Sequence, residues 1–285
     1  MQFGASTFIW TSPFSDEKIG YLVEKIKNFG FDLIEVCIED PDIINPEKVK
    51  KAAKEANISV IICGAFGPKR DVSSKDESIQ ENGINYIKIC VDYAKVVGSP
   101  VVVGPMYSAT GKASLLSPKE KAEQWNLGVK NLKIAADYAN KKNIKLAIEP
   151  LNRFETDFIN TVEQGVDLVE RIGYANVGLL LDSFHMNIEE KNSADAIRYV
   201  GKKLFHFHAC SNDRGTPGDG QINWKPIAAS IKNTGYDGAI VIESFTPEIK
   251  EIARAVSFWR PIAKDQDLLA KDGLAFLKEI FAGDK

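Results

Sequence analysis

The sequence predicts an α/β fold, a (β/α)8 TIM barrel, as a single domain over residues 1–285. Eight short apolar runs alternate with longer amphipathic, charged runs. Short runs rich in Val and Ile are typical of strands buried on both faces, and strict strand–helix alternation indicates parallel pairing. Barrels of about 250 residues fold as one domain, so eight such units fit this chain. The predicted strands are Phe3–Ile9, Leu33–Cys37, Ser59–Ala65, Pro100–Gly104, Lys145–Glu149, Val177–Asp182, Leu204–His208 and Ala239–Glu243.

The amphipathic stretches between and after these strands are predicted to be helices. Ser15 and Ser117 stand directly before two of them and Thr161 begins a third, where a side-chain oxygen can cap a helix. A doubly wound open sheet is the alternative fold, but no GxGxxG follows the first strand, which weakens its dinucleotide-binding version. The predicted helices are Asp16–Phe29, Pro46–Ala56, Ser78–Val97, Pro118–Lys142, Thr161–Arg171, Ala194–Val200, Trp224–Asn233, Pro247–Phe258 and Asp265–Phe281.

Composition and charge narrow the class of protein and its partners. The formal net charge of −3 shows no excess of basic residues, so we expect no nucleic acid partner. No apolar run reaches the ~18 residues of a membrane span, and the first ten residues lack the basic region of a secretory signal. The four cysteines are far apart and form no CxxC pair, which favours reduced thiols in a cytoplasmic protein.

Four consecutive predicted strands end in side chains that can bind a metal ion. These side chains are Glu149, Asp182, His208 and Glu243, at the ends of strands five to eight. The carboxyl ends of barrel strands share one rim and form the active site, so we expect these side chains to converge. A single acid at a strand end is ordinarily a solvated loop residue or a helix cap, but four on adjacent strands indicate a common site.

Three carboxylates placed close together repel one another unless a cation neutralises them. Together with one imidazole they suit a divalent ion such as Mn²⁺, Mg²⁺ or Co²⁺. No cysteine is placed to complete a closed structural zinc site. Residues two positions before each ligand should lie one layer deeper on the same inner side, so we expect His206 to support the site or pack in the core.

Glu155, His185 and Arg214 lie just beyond these strand ends, where a substrate would be held. The ordinary alternatives are a loop salt bridge for Arg214 and a helix cap or surface position for His185. The Gly-rich segment 213–220 lacks the GxxxxGK[ST] pattern of a phosphate loop, and we interpret it as a tight loop that positions Arg214. Four apolar side chains after strands one, three and four either form a wall over the substrate or pack the barrel top: Trp10, Phe66, Met106 and Tyr107.

The motifs around these residues resemble those of the ketose 3-epimerases. This family comprises the D-tagatose, D-psicose (allulose) and L-ribulose 3-epimerases of the xylose isomerase-like barrel superfamily. Segment 149–155, EPLNRFE, is similar to the family signature E-x-x-N-R-[FY]-E, and segment 182–190, DSFHMNIEE, is similar to D-[TS]-[FY]-H-M-N-I-E-E. Further similar positions, from Phe3 to about Leu277, include His206-Phe207-His208, Glu243-Ser244-Phe245 and Trp259-Arg260.

The resemblance implies a metal-dependent isomerase that inverts C3 of free ketoses of the D-psicose/D-fructose, D-tagatose or L-ribulose class. The implied mechanism is proton abstraction and re-delivery by Glu149 and Glu243 through a metal-stabilised cis-enediolate. The implied ion is Mn²⁺, with Co²⁺ or Mg²⁺ as alternatives, bound by the four strand-end residues. Sugar contacts are implied for Glu155, His185 and Arg214. Members of the family are commonly dimers or tetramers, so we expect a homodimer or homotetramer.

Three other functions stay open at this point. An aldose–ketose or hydroxypyruvate-type isomerase would use the same four ligands but transfer the proton between C1 and C2. A metal-dependent endonuclease of the same superfamily would need many histidines, and the chain has three. A non-catalytic sugar-binding protein would not need the complete acid pair. The preferred ketose is also open, because the apolar pocket residues vary across the family.

Overall fold

The computed structural model describes residues 1–246, 256 and 258–282 as a barrel of eight parallel strands. The strands are ordered around the barrel as they are along the chain, and pairing of the first strand with the last closes the sheet. The predicted (β/α)8 fold is therefore confirmed. The strands are β1 (Gln2–Ser6), β2 (Leu33–Ile38), β3 (Ser59–Gly64), β4 (Val101–Gly104), β5 (Lys145–Ile148), β6 (Val177–Asp182), β7 (Leu204–Ala209) and β8 (Ala239–Ile242).

Helices connect the strands in the described part of the chain, and none of these helices is long and apolar enough to cross a membrane. The predicted helix Pro247–Phe258 lies outside the described residues, apart from residues 256 and 258. The helices are α1 (Ile19–Phe29), α2 (Pro46–Ala56), α3 (Glu77–Val97), α4 (Pro118–Lys141), α5 (Val162–Ile172), α6 (Ser183–Glu189), α7 (Ser193–Val200), α8 (Trp224–Asn233) and α9 (Gln266–Ala282).

Two of the three predicted helix caps form as expected. The side chains of Ser117 and Thr161 each accept a hydrogen bond from the backbone N–H three residues later. The side chain of that later residue in turn accepts a hydrogen bond from the backbone N–H of the capping residue. Such reciprocal boxes satisfy two donors that the first helical turn leaves free. The prediction for Ser15 is wrong, because the chain first forms a short 3-10 turn, Asp16–Lys18, and α1 begins only at Ile19.

Two separate buried clusters follow the alternation of side chains along the strands. One cluster joins strand residues such as Ile34 and Leu181 to the apolar faces of the surrounding helices. The other contains no residue of the helices α1 to α9 and fills the barrel interior. Ala147, Leu180 and Val241, predicted to line the inner side beneath the strand ends, belong to this interior cluster. The interior is therefore a packed floor, and polar side chains collect above it.

The strand ends differ slightly from the predicted bounds without moving the predicted residues off the rim. β5 and β8 end one residue before Glu149 and Glu243. The backbone N–H of each still donates to the neighbouring strand, to Gly104 and Ala209 respectively, with N···O distances of 3.3 Å. β1 ends at Ser6 instead of Ile9, because the chain turns there into a 3-10 helix.

Candidate active site

The four strand-end side chains converge at the carboxyl rim of the barrel. His208 Nδ1 lies 3.9 Å from Glu149 Oε1, 4.0 Å from Asp182 Oδ2 and 3.6 Å from Glu243 Oε2. One ligand atom from each residue lies within 4.8 Å of the other three, and all four residues are buried. The structure therefore brings the predicted metal-ligating residues together.

Local structure explains why these side chains meet. A register shift between Leu179 and Leu180 lets Asp182 pair directly with His208 across β6 and β7. Asp182 is also the N-cap of α6, which was not predicted, and its Oδ1 accepts a hydrogen bond from the N–H of Phe184 at 2.7 Å. One oxygen of this carboxylate is thus held by the helix end, while the other faces the cluster.

The cluster fits a divalent cation. Glu149 Oε1 and His208 Nδ1 are buried and have no hydrogen-bond partner within the described residues. An orphaned acceptor in a buried site costs free energy unless a water or an ion satisfies it. Oxygen and nitrogen ligands bound at about 2.0–2.2 Å around one ion lie roughly 4 Å or less apart, close to the spacing found here.

The carboxylates of the cluster differ in their electrostatic environment. Burial raises the pKa of Glu149 well above its usual value, and repulsion from Glu243 adds to the effect. Burial also raises the pKa of Asp182, although the charge of Arg214 opposes it. Burial acts in the same direction on Glu243, but the charges of His208 and Arg214 outweigh it, so the pKa of Glu243 is lowered.

Arg214 reaches into the cluster from the Gly-rich loop after β7. Its Nη1 lies 2.5 Å from Asp182 Oδ2 and 2.8 Å from Glu243 Oε2. Its backbone is left-handed, with φ of 69°, and Ser244 Oγ donates to its carbonyl oxygen at 2.7 Å. A non-glycine residue in this conformation is uncommon and is found mostly where the surroundings enforce it. The interpretation of the loop as a device that positions Arg214 agrees with this geometry.

His185 and Glu155, the other two predicted substrate contacts, lie beside the cluster. His185 is buried in α6, so neither a surface position nor a cap role applies. Its Nδ1 accepts from the N–H of Asn152 at 3.0 Å, and its Nε2 lies 2.9 Å from Arg214 Nη2. Glu155 accepts from Asn152 Nδ2 at 2.7 Å. Asn152, which sequence reasoning did not single out, therefore holds both.

A further buried carboxylate lies below the cluster and was missed. Glu35, in the middle of β2, contacts Nε2 of His206 at 2.8 Å and Nε2 of His208 at 3.1 Å. Burial opposes its ionisation, but the two histidines outweigh this effect and lower the pKa of Glu35 to about 2. His206 thus lies behind the cluster, as expected. A charged residue inside an otherwise apolar predicted strand was the available signal.

A cavity of about 210 Å³ opens directly above the cluster. Glu149, Glu155, His185, Arg214 and Glu243 line its polar side. An apolar wall also lines it and includes Phe8, Phe66, Leu151 and Phe245. A cavity below the ~300–1,000 Å³ typical of drug-sized ligands suits a small metabolite.

Only one of the four apolar residues predicted for this region, Phe66, lines the cavity. Met106 and Tyr107 are fully buried beneath the rim. Trp10 is directed to the other side, where its Nε1–H donates to Asp267 Oδ1 at 2.7 Å. For these three residues, packing of the barrel top is the correct interpretation.

Comparison with known proteins agrees with this architecture. A probable ketose 3-epimerase of Synechocystis sp. is 34% identical over 281 residues, which cover 99% of this chain and 97% of that protein. A D-psicose 3-epimerase of Agrobacterium fabrum is 31% identical, with coverage of 99% and 100%. The crystal structure of a D-allulose 3-epimerase from Methylomonas sp. with D-allulose has a TM-score of 0.91 at 28% identity, and the match covers 98% of this chain and 96% of that one.

The model of the xylose isomerase-like TIM barrel family matches residues 23–280, which is most of the chain. The relatives match along nearly the whole chain and nearly the whole of their own length. The chain therefore belongs to the xylose isomerase-like TIM barrel family and, within it, to the ketose 3-epimerases, which are carbohydrate isomerases.

Proposed function

We propose that this protein inverts the configuration at C3 of a free ketose, with a divalent ion held by Glu149, Asp182, His208 and Glu243. The ion proposed is Mn²⁺, with Co²⁺ or Mg²⁺ as alternatives, because three carboxylates and one imidazole suit these ions. When bound, it supplies a Lewis acid that polarises a carbonyl and offsets negative charge after proton loss.

One observation supports epimerisation above all: two carboxylates reach the same cavity from different sides. Glu149 follows β5 and Glu243 follows β8, three positions apart in the ring of eight strands. Both line the cavity. Inversion at a carbon needs one group to remove a proton from one face and another to return a proton to the opposite face. Two carboxylates facing one carbon can exchange these roles when the reaction reverses.

The remaining polar side chains would orient the sugar. Arg214 lines the cavity, and its Nε–H has no partner among the residues that the structure describes. It can donate to an oxygen on C1 or C2, and His185 lies beside it. Burial and the charge of Arg214 lower the pKa of His185 well below its usual value, so the ring is neutral. Glu155, whose carboxylate is held by Asn152, can accept from a sugar hydroxyl.

Deuterium incorporation tests the site of proton transfer. A panel of D-fructose, D-psicose, D-tagatose, L-ribulose and D-ribulose would be incubated in D₂O with Mn²⁺ and the protein, and the products examined by NMR. We expect at least one ketose to give its C3 epimer with deuterium at C3, and EDTA to stop the reaction. Deuterium at C1 or C2 would instead indicate an aldose–ketose isomerase, and no conversion of any ketose would contradict the proposal.

The same panel ranks the substrates, since the residues of the apolar wall do not by themselves select one ketose. The homodimeric or homotetrameric state and the cytoplasmic location stay predictions. Light scattering of the purified protein tests the first, and fractionation of cells that produce it tests the second.

A further inference from the structure

Glu35 is the only charged residue of β2, a strand that is buried along its whole length. Its carboxylate lies inside the barrel beneath the four convergent side chains, with a relative exposure of 0%. It contacts two histidines of β7, His206 Nε2 at 2.8 Å and His208 Nε2 at 3.1 Å. A buried carboxylate is costly unless paired, so this arrangement calls for a functional reason.

The chemistry of the contact determines which ring nitrogen of His208 bears a hydrogen. Both Nε2 atoms lie within hydrogen-bond distance of the same oxygen of Glu35, Oε2, which can accept from two donors, so each Nε2 is assigned as a donor. A histidine that binds an ion is neutral, so with the ion bound the other nitrogen, Nδ1, has the free lone pair. His208 Nδ1 faces Glu149, Asp182 and Glu243 at 3.6–4.0 Å and has no hydrogen-bond partner among the described residues.

We propose that Glu35 is a positioning residue that fixes the Nε2–H form of His208 and so directs the Nδ1 lone pair at the divalent ion. This inference rests on the proposed function, because it requires the ion. A carboxylate behind a metal-binding histidine orients the ring and makes it a stronger ligand, and its loss typically weakens metal binding about 10–100-fold. Glu35 acts here through His208 and does not touch the cavity.

A second ion bound by Glu35, His206 and His208 is the competing explanation. One ligand atom of each residue lies within 4.8 Å of the others, so the group could hold an ion. The observed contacts of 2.8 and 3.1 Å are ordinary hydrogen-bond distances, and a hydrogen between the atoms accounts for both. The number of ions bound per chain separates the two explanations.

The first test compares Mn²⁺ binding by calorimetry in the unaltered protein, in Glu35→Gln and in His206→Gln. The glutamine side chain has the shape of glutamate but can present its amide N–H₂ to His208, which permits the wrong ring form. We expect one Mn²⁺ per chain in all three proteins, and a dissociation constant raised about 10–100-fold in Glu35→Gln. His206→Gln leaves the pair of Glu35 and His208 intact, so its dissociation constant should change by less than about threefold, well below that range.

The second test needs no substitution at Glu35. The chain has three histidines, so their ¹⁵N-labelled rings can be assigned with His185→Gln and His206→Gln. With the diamagnetic ion Mg²⁺ bound, we expect a hydrogen on His208 Nε2 and none on Nδ1. Three results would overturn the positioning role of Glu35 and leave the proposed function standing. They are a hydrogen on His208 Nδ1, unchanged Mn²⁺ affinity in folded Glu35→Gln, and loss of a second bound ion in that variant. Absence of Mn²⁺ binding by the unaltered protein would overturn the proposed function as well.

Discussion

Replacement of Glu149 by Gln is expected to stabilise the metal-free protein at alkaline pH and to abolish turnover. The Glu149 side chain is buried, its Oε1 accepts no hydrogen bond within the described residues, and it lies within 4.8 Å of ligand atoms of Asp182 and Glu243. Gln has the same shape without the charge, so the substitution removes repulsion and creates no cavity. A residue that we propose to take part in proton transfer is thus a source of instability in the ion-free protein.

The size of the effect follows from the repulsion and from the raised pKa. At an effective dielectric constant of about 20, two charges at the upper limit of 4.8 Å repel by roughly 3.5 kcal/mol. Attraction to His208 Nδ1, 3.9 Å away, offsets part of this, and the net effect with burial is a pKa of Glu149 well above 4.5. A carboxyl whose pKa is raised on folding contributes stability that is complete below the unfolded pKa. That stability is lost, by about 1.4 kcal/mol per pH unit, as pH rises to the folded pKa.

Urea and thermal unfolding in EDTA at pH 5 and pH 8 would measure this difference. We expect a difference below about 1 kcal/mol at pH 5, which is just above the unfolded pKa, and a larger advantage for Glu149→Gln at pH 8, with a shift of roughly 2–4 °C per kcal/mol. Glu81→Gln, on the exposed face of α3, controls for the loss of one charge. Saturating Mn²⁺ should reverse the order, since an ion at 100 times its dissociation constant adds about 2.7 kcal/mol. A lower stability of Glu149→Gln in EDTA at pH 8 would refute the reasoning.

Two further substitutions test the proposed catalytic pair and the backbone at the rim. Glu243→Gln should lower kcat about 10²–10⁴-fold in the ketose assay, because one of two proton-transfer groups is lost, and more than a tenth of the activity would exclude this role. Gly104→Ala should lower the free energy of unfolding by about 1–3 kcal/mol. Its φ is +129°, and a Cβ would lie 2.8 Å from the Gly64 carbonyl oxygen. Gly20→Ala in α1, where a Cβ meets nothing within 4 Å, should instead raise the free energy of unfolding. Equal stabilities of Gly104→Ala and Gly20→Ala would contradict the reasoning.

The alternation of strands and helices, and the chemistry of the strand ends, could be predicted from the sequence. Both are local properties: a buried strand and an amphipathic helix differ in apolar pattern, and parallel strands end at the same rim. The bounds of Pro46–Ala56, Val177–Asp182 and Trp224–Asn233 match the structure for this reason. The helix α6 was missed because Asp182 is both the end of β6 and the cap of that helix, which leaves no loop residue between them.

The partners of the site residues were decided only by the tertiary structure. Glu35 contacts histidines 171 and 173 residues away, and no pattern along the chain records which strands face each other across the barrel. Trp10 and Phe66 both follow strands, yet the paths of their loops direct one to Asp267 and the other to the cavity. Sequence by itself thus determined which kinds of side chain reach the rim. Closure of the barrel determined which of them touch, because contact between distant residues depends on packing in three dimensions.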